Sequence, residues 1–154
     1  DVMGDGALLV HGTCVAIGQR ALLIVGPSGS GKSGLALQLM TCGATLVADD
    51  KTLLHRSPEG ITATAPETIA GQIEARGLGI LAVPFITRAP LTDVINLGQP
   101  ETERLPPERF CSVLGQNLPY LHNSDTPSFF AALAHYLTHD RIRPDVLPPG
   151  ERPT

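Results

Sequence analysis

Residues 26–33 read Gly-Pro-Ser-Gly-Ser-Gly-Lys-Ser and match the phosphate-binding pattern G-x-x-x-x-G-K-S. This stretch restricts the fold more than any other, because the pattern binds phosphate only between a buried strand and a helix. Residues 21–25 supply an apolar strand before it, and residues 33–40 supply a helix-like segment after it. The sequence therefore predicts a strand, a phosphate-binding loop and a helix, in that order.

The residues of this loop have separate predicted roles. Glycines allow successive backbone N–H groups to face an anion, and the N-terminus of the following helix adds positive potential. Lys32 would reach the outer phosphates of a nucleotide, and the Ser33 hydroxyl would bind Mg²⁺. The alternative, an ordinary glycine-rich turn, is disfavoured by the flanking strand and helix. The predicted phosphate contacts are Gly26, Pro27, Ser28, Gly29, Ser30, Gly31, Lys32 and Ser33.

Composition is typical of a single globular domain. Of the 154 residues, 42% are hydrophobic and 17% are charged, so one core accounts for the whole chain. The net charge of −4 favours a protein partner over nucleic acid or a membrane surface. No apolar run is long enough for membrane insertion, and the first residues do not resemble a signal peptide. We therefore expect a soluble, cytoplasmic protein.

The cysteines agree with a reducing compartment. Cys14, Cys42 and Cys111 are odd in number, widely spaced and form no C-x-x-C pair. We expect reduced thiols, two of which serve only in packing.

Apolar periodicity and turn residues predict an α/β fold, a P-loop domain with a mixed sheet. Helices are expected after the loop, over about residues 66–75, and after Thr126-Pro127. We expect residues 1–141 to form one domain and the proline-rich residues 142–154 to form a flexible tail. Strands are expected over residues 8–17, 21–25, 45–48, 51–57, 61–65, 91–97, 110–114 and 118–121.

Two carboxylates follow the strand predicted at 45–48. Asp49 and Asp50 stand at its carboxyl end, the edge where open α/β sheets place ligands. One of them could accept the proton of an attacking hydroxyl. Because side chains alternate along a strand, we expect one to act as base and the other, on the opposite side, to serve metal, water or structure. The alternative is two solvated acids that begin a turn.

Further polar residues carry weaker signals. His11 is expected on the strand that pairs with the one before the loop, where it could orient a carboxylate, although an ordinary strand histidine is the simpler interpretation. Glu74 would suit Mg²⁺ and Arg76 would suit phosphate oxygens, or both are charged residues at a helix end. His135 and His139 have the spacing of a metal pair but no third ligand, which favours a solvated helix face.

Four stretches together resemble the catalytic domain of the bacterial HPr kinase/phosphorylase family. They are His11-Gly12, the loop 26–33, the strand end Leu46-Val-Ala-Asp-Asp50, and Glu74-Ala-Arg-Gly-Leu-Gly-Ile80, which is the most specific. The resemblance spans about residues 8–86. It implies a kinase that uses ATP and Mg²⁺ to phosphorylate a serine of the phosphocarrier protein HPr, on a fold related to phosphoenolpyruvate carboxykinase.

The resemblance also implies roles for the matched residues. Asp49 would be the general base towards the serine hydroxyl, and His11 would adjust its proton affinity. In the family the site can also run backwards, with inorganic phosphate attacking phosphoserine. The remaining implied assignments are Lys32 for the phosphates, Ser33 and Glu74 for Mg²⁺, and Asp50 and Arg76 for the rest of the catalytic site.

Two departures from the family leave alternatives open. We expect a short form without the family's usual N-terminal domain, similar to the short forms associated with nitrogen-type phosphotransferase and two-component systems. Residues 119–123 stand where a basic loop is expected, and few arginines surround them. Phosphorolysis and a homo-oligomer therefore stay open. An alternative function is an ATP-binding sensor module that signals through a partner such as a two-component sensor kinase.

Overall fold

The computed structural model describes residues 2–3, 6–139 and 141–142; most of the expected tail, residues 143–154, lies outside them. The helices are Lys32–Thr41 (α1) and Phe129–Thr138 (α2), with a 3-10 turn at Glu67–Ile69. Within this part of the chain, no helix has the length and apolar character needed to cross a membrane. The strands are Val2–Met3 (β1), Ala7–Val10 (β2), Thr13–Ile17 (β3), Arg20–Val25 (β4), Thr45–Ala48 (β5), Thr52–Ser57 (β6), Gly60–Thr64 (β7), Gln72–Ala75 (β8), Gly79–Ala82 (β9), Ala89–Pro100 (β10), Phe110–Val113 (β11) and Gln116–Asn123 (β12).

Ten of the described strands form one mixed sheet, as predicted. Its order is β1-β2-β6-β7-β10-β4-β3-β5, with β12 beside β10 and β11 beside β12. β10 pairs parallel with both β4 and β12. β3 pairs antiparallel with β4 and β5, so β5 runs in the same direction as β4. β8 and β9 form a separate hairpin.

The central strands are buried on both faces. On one face, Val15, Leu22 and Ile24 pack with the apolar residues of α1 and α2. On the other face, Cys14 and Leu23 pack with residues of β6 and β7. Burial on both faces explains why residues 21–25 are continuously apolar instead of alternating.

The helix after the loop has the predicted core face and end. Leu35, Ala36 and Leu39 are buried against the sheet. Gly43 takes the left-handed conformation with φ +104°, and its N–H donates to the carbonyl of Met40 over 3.2 Å. The N–H of residue 44 donates to the carbonyl of Leu39 over 3.0 Å, which completes a Schellman motif.

The helix predicted over residues 66–75 is wrong. The structure has the short 3-10 turn followed by β8. Gly71 interrupts a helix because its φ is +74°, and an added Cβ would lie 2.6 Å from Phe85. Beyond it, buried Ile73 alternates with exposed Glu74, which is the period of a strand. Pairing with β9 stabilises this strand, and Ile73 packs in the core beside α1.

The single strand predicted over residues 8–17 is also wrong. The chain bends at His11 and Gly12, so that β2 pairs with β6 while β3 pairs with β4. At Gly12 an added Cβ would lie 2.8 Å from the carbonyl oxygen of Ile24. The bend therefore depends on a close backbone approach that apolar periodicity does not report.

Smaller differences concern element ends in the second half. The late hairpin turns at Leu114 and Gly115, both with positive φ, and not around residues 115–117. β10 runs over Ala89–Pro100, longer than the predicted 91–97. α2 begins at Phe129, two residues after the proline expected in its first turn. For β10, pairing with β4, β7 and β12 extends the strand beyond its local signal.

The cysteines have free thiols, and two of them serve in packing as expected. Cys14 is fully buried, and burial raises the pKa of its thiol to about 12. Cys111 packs against the same core cluster, whereas Cys42 is exposed.

The buried carboxylate of Asp93 connects α2 to the sheet through hydrogen bonds. Asp93 is 1% exposed and accepts hydrogen bonds from Thr92 Oγ1 at 2.6 Å and from the Tyr136 hydroxyl. Arg20 Nη2 lies 3.3 Å from the same carboxylate, and its Nη1 donates to the Tyr136 carbonyl over 2.7 Å. Burial and the hydrogen bond to Asp93 raise the pKa of Tyr136, which keeps its hydroxyl a donor.

We expect Tyr136→Phe to lower the free energy of unfolding by about 1.5–3 kcal/mol, because the buried Asp93 carboxylate loses a donor. Urea denaturation measures the change. The matched control is Tyr120→Phe. Among the described residues, the Tyr120 hydroxyl accepts a hydrogen bond only from the Asn96 amide, over 2.9 Å, and its loss should lower the free energy of unfolding by about 1 kcal/mol. An equal or larger loss in the control would contradict the anchoring role of Asp93.

Candidate functional site

The candidate site lies where four strands end. β4, β5, β10 and β12 point in the same direction, so their carboxyl ends meet at one edge of the sheet. The loop 26–33 follows β4, and Asp49 follows β5. Thr13 begins β3, which runs the opposite way and therefore starts at the same edge. Open α/β sheets bind ligands at this edge.

The backbone of the loop curls around small residues. Gly31, with φ +97°, stands immediately before α1, and its carbonyl accepts the first helical hydrogen bond from Leu35. At Gly26 an added Cβ would lie 2.8 Å from Ser30 Oγ and 3.3 Å from Leu97 Cβ. The loop therefore needs glycine at residue 26, where it passes close to the end of β10.

Two polar groups of the loop fit a phosphate ligand. Lys32 Nζ donates to the carbonyls of Gly26 and Pro27 over 3.0 and 3.1 Å, which places its ammonium over the start of the loop. Ser30 Oγ is buried and has no hydrogen-bond partner within the described part of the chain. A buried hydroxyl without a hydrogen-bond partner lowers the stability of the fold, and a phosphate oxygen would accept a hydrogen bond from it.

Asp49 connects the loop with two other elements. Its side chain is buried, and Oδ1 accepts hydrogen bonds from Ser33 Oγ at 2.6 Å and Thr13 Oγ1 at 2.8 Å. Oδ2 accepts the backbone N–H of Glu74 at 2.9 Å. The structure thus brings together three of the predicted site residues, Ser33, Asp49 and Glu74. Glu74 arrives on a strand, and not at the helix end that one interpretation of the sequence required.

Asp50 differs from its neighbour. It is exposed and takes a left-handed φ of +69°, an uncommon conformation for a residue other than glycine. Its N–H donates to Thr13 Oγ1 over 3.3 Å, and the N–H of Lys51 donates to the Asp49 carbonyl over 2.7 Å. One carboxylate is therefore buried and the other exposed, but a sharp turn at Asp50, and not the expected alternation along a strand, separates them.

Within the described part of the chain, the side chains of His11 and Arg76 are not among the hydrogen-bond partners of Asp49. His11 is exposed at the bend between β2 and β3, and not on the predicted strand. Arg76 is exposed in the turn between β8 and β9. For residues 2–3, 6–139 and 141–142, no hydrogen bond or ion pair joins either side chain to Asp49. Their catalytic roles stay predictions.

The oxygen atoms of the site suit Mg²⁺ held jointly with a nucleotide. Mg²⁺ binds one or two protein oxygens together with phosphates and water. The Ser33 hydroxyl provides one such oxygen at the N-terminus of α1, and the hydrogen bonds of Asp49 to Ser33 and to the backbone of Glu74 bring Glu74 near it. The described residues contain no group of three His, Cys, Asp or Glu that could hold a metal alone. The residues present therefore fit a metal that is bound together with phosphates.

His135 and His139 form an exposed pair on α2. Their rings stack with centroids 5.9 Å apart, and no metal cluster includes them among the described residues. The solvated helix face favoured by the sequence fits this arrangement.

Sequence reasoning missed Thr13. It is fully buried and bridges the Asp49 carboxylate and the Asp50 N–H. Its only signal is a hydroxyl at the start of an otherwise apolar strand, two residues after His11. The partners on Asp49 and Asp50 are 36 and 37 residues away, which local patterns do not report.

Comparisons with known proteins agree on one family. The model of the HPr Serine kinase C-terminal domain matches residues 6–87, which contain Thr13, the loop, Asp49 and Glu74. The HPr kinase/phosphorylase of Stenotrophomonas maltophilia (strain K279a) is 42% identical over 77 residues, 49% of this chain and 24% of that protein. That of Xylella fastidiosa (strain M12) is 36% identical over 105 residues, 63% of this chain and 33% of that protein.

A solved structure resembles this chain in fold over a longer range of residues than the family model covers. The Hpr(Ser) kinase/phosphatase from Coxiella burnetii has a TM-score of 0.75 and 25% sequence identity. The match covers 85% of this chain and 88% of that chain. The α/β fold with a mixed sheet is therefore shared. By contrast, the chain spans only about a quarter to a third of the length of the two curated relatives.

We expect a double-mutant cycle between Thr13→Val and Asp49→Asn to give a coupling of about 1–2 kcal/mol in unfolding free energy, because these side chains share a buried hydrogen bond. Urea denaturation of the four proteins measures it. Thr52→Val is the matched control: Thr52 is equally buried but donates to the Gly12 carbonyl over 2.9 Å. The second cycle combines Thr52→Val with Asp49→Asn. If its coupling free energy equals that of the Thr13 cycle, Thr13 does not act through Asp49.

Proposed function

The chain belongs to the HPr serine kinase C-terminal domain family, and on this premise we propose that it is a Mg²⁺- and ATP-dependent kinase that phosphorylates a serine of an HPr-like phosphocarrier protein. One contact carries the proposal: the 2.6 Å hydrogen bond from Ser33 of the phosphate loop to Asp49. It joins a hydroxyl suited to Mg²⁺ to a carboxylate suited to a serine proton, at the N-terminus of a helix.

Phosphate binding falls to the loop in this proposal. Backbone N–H groups of the loop, the N-terminus of α1 and the Lys32 ammonium hold the phosphates of ATP. Mg²⁺, held by Ser33 and Glu74, would neutralise negative charge on the phosphates when bound. Most of the rate enhancement then comes from positioning and charge stabilisation, as is usual in phosphoryl transfer.

Asp49 receives the proton of the attacking serine in this proposal. The serine oxygen forms a bond to the γ-phosphorus, the bond from that phosphorus to the bridging oxygen breaks, and ADP leaves. The serine proton passes to the carboxylate. A carboxylate offers about four lone-pair positions, and three on Asp49 accept hydrogen bonds from Ser33, Thr13 and Glu74. One position is left for the substrate hydroxyl.

The outer residues complete the proposed site. Asp50 and Arg76 are exposed beside the buried network, where they would contact a protein substrate and its phosphoserine. His11, at the neighbouring bend, would adjust the proton affinity of the base. In the reverse direction, a protonated Asp49 would return its proton to the serine oxygen while inorganic phosphate takes up the phosphoryl group.

A second candidate function is an ATP-binding sensor module that signals through a protein partner and transfers little phosphate. Two arginines beyond residue 90, Arg109 and Arg141, favour it. Arg109 is paired with Glu101 at 2.6 Å and Glu103 at 3.7 Å, and Arg141 donates to the Pro106 carbonyl. Guanidinium groups engaged in this way are poorly placed to hold a phosphorylated partner.

We expect label from γ-labelled ATP with Mg²⁺ to appear on a purified HPr-like protein but not on its serine-to-alanine variant. Lys32→Ala should reduce transfer below detection, because the loop loses its charge on the outer phosphates. ATP binding that depends on Lys32, without any transfer to the carrier, would instead favour the sensor module. Label on a small metabolite would contradict both proposals.

We expect Asp49→Asn to lower kcat by about 10²–10⁴-fold, the usual contribution of a general base. The matched control is Glu59→Gln, which removes one negative charge from the exposed turn between β6 and β7. Single-turnover transfer rates compare the two variants. A rate for Asp49→Asn within about threefold of the control would overturn its assignment as base.

A further inference from the structure

We propose that the cavity between α1 and the connection from β12 to α2 holds the nucleoside of the nucleotide whose phosphates bind the loop. This inference rests on the proposed function and adds a position for the base and ribose. The cavity volume is about 390 Å³, within the range of about 300–1,000 Å³ typical of small-ligand sites.

The position of the cavity makes it continuous with the phosphate loop. Ser30 and Gly31 of the loop form one end of its wall. Leu97 of β10 and Asn123 of β12 also line it, and both lie at the carboxyl ends of strands parallel to β4. A nucleotide with its phosphates on the loop would therefore reach this cavity without leaving the ligand-binding edge of the sheet.

One face of α1 forms a smooth side of the cavity. Gly31, Gly34, Leu35 and Gln38 line it, and their spacing places them on the same helical face. At Gly34 an added Cβ would meet no atom within 4 Å. Glycine inside a helix costs stability relative to alanine, but here it leaves the space beside the loop open.

The opposite side offers the groups that a base and a ribose need. Phe129 and Phe130 are half-buried and line the cavity, and aromatic rings stack on any base. The Asn123 amide carries both a donor and an acceptor, and among the described residues its Nδ2 donates only to the Leu97 carbonyl, over a long 3.5 Å. Ser124 and Thr126 add hydroxyl groups 3.1 Å apart.

Close packing fixes this cavity relative to the loop. At Gly98, directly after Leu97, an added Cβ would lie 2.9 Å from Pro27 Cδ. The Gly98 N–H donates to Asn96 Oδ1 over 2.8 Å, which fixes the backbone at this end of β10. The end of β10, which lines the cavity, therefore lies directly against the start of the phosphate loop.

The larger cavity of the molecule fits the nucleoside less well. Its volume is about 740 Å³, and it lies between β12, α2 and residues 106–110. None of the described residues that line it belongs to the loop 26–33. A nucleoside there would be separated from phosphates bound at the N-terminus of α1.

Titration calorimetry of Mg²⁺-ATP and of Mg²⁺ with inorganic tripolyphosphate tests the inference. In the unsubstituted chain ATP should bind more tightly, because only ATP carries a nucleoside. Gly34→Leu should weaken ATP binding by about 10- to 100-fold, the effect of losing a base contact, and change tripolyphosphate binding by less than about threefold. Thr41→Leu is the control, since it adds an apolar side chain to α1 outside the cavity.

Asn123→Ala provides a second variant that adds no bulk, and it should also weaken ATP selectively. Equal affinities for ATP and tripolyphosphate in the unsubstituted chain would overturn the nucleoside site but leave the phosphate loop intact. Equal losses of both ligands in Gly34→Leu would also overturn it. Binding of neither ligand by the unsubstituted chain would overturn the proposed function itself, and this inference with it.

Discussion

The hydrogen bonds of the Asp49 carboxylate are the interaction on which the site depends. They join α1 through Ser33, β3 through Thr13 and β8 through the backbone of Glu74. These elements are far apart in the sequence, and a buried carboxylate is stable only when its oxygens are satisfied. The hydrogen bonds that satisfy the Asp49 carboxylate therefore fix the relative positions of the phosphate loop, the sheet edge and the β8–β9 hairpin. In the proposed reaction, a carboxylate fixed in this way would need no reorganisation when the substrate hydroxyl approaches it.

Strand direction explains why this contact can form. The antiparallel strand β3 starts at the edge where β4 and β5 end, so Thr13 reaches Asp49 and Asp50, which follow β5. A purely parallel sheet would place the start of every strand at the opposite edge. The bend at His11 and Gly12 then carries the chain from β2, in the outer part of the sheet, to this edge. The site therefore depends on the mixed sheet, because the antiparallel strand β3 brings the Thr13 hydroxyl to the Asp49 carboxylate.

Sequence patterns predicted the parts of the fold that depend on local signals. The loop 26–33, α1 with its Gly43 end and the β6–β7 hairpin follow from glycine placement and apolar periodicity. The errors share a different cause. β8 became a strand because β9 pairs with it, and residues 8–17 divided because Gly12 lies close to the carbonyl of Ile24. The sequence singled out Ser33, Asp49 and Glu74, which hydrogen bonds join in the structure, but not Thr13, whose partner Asp49 is 36 residues away.

The two halves of the chain contribute different chemistry to one edge of the sheet. The first half supplies an ammonium, a hydroxyl and a buried carboxylate, which are groups that neutralise charge and accept a proton. The ends of β10 and β12 supply apolar and amide side chains, Leu97 and Asn123. Such groups cannot move a proton, but they can select a ligand by shape and hydrogen bonding. The reaction and the choice of nucleotide would then depend on separate segments, so that substitutions in the second half alter affinity while the chemical step stays with Asp49.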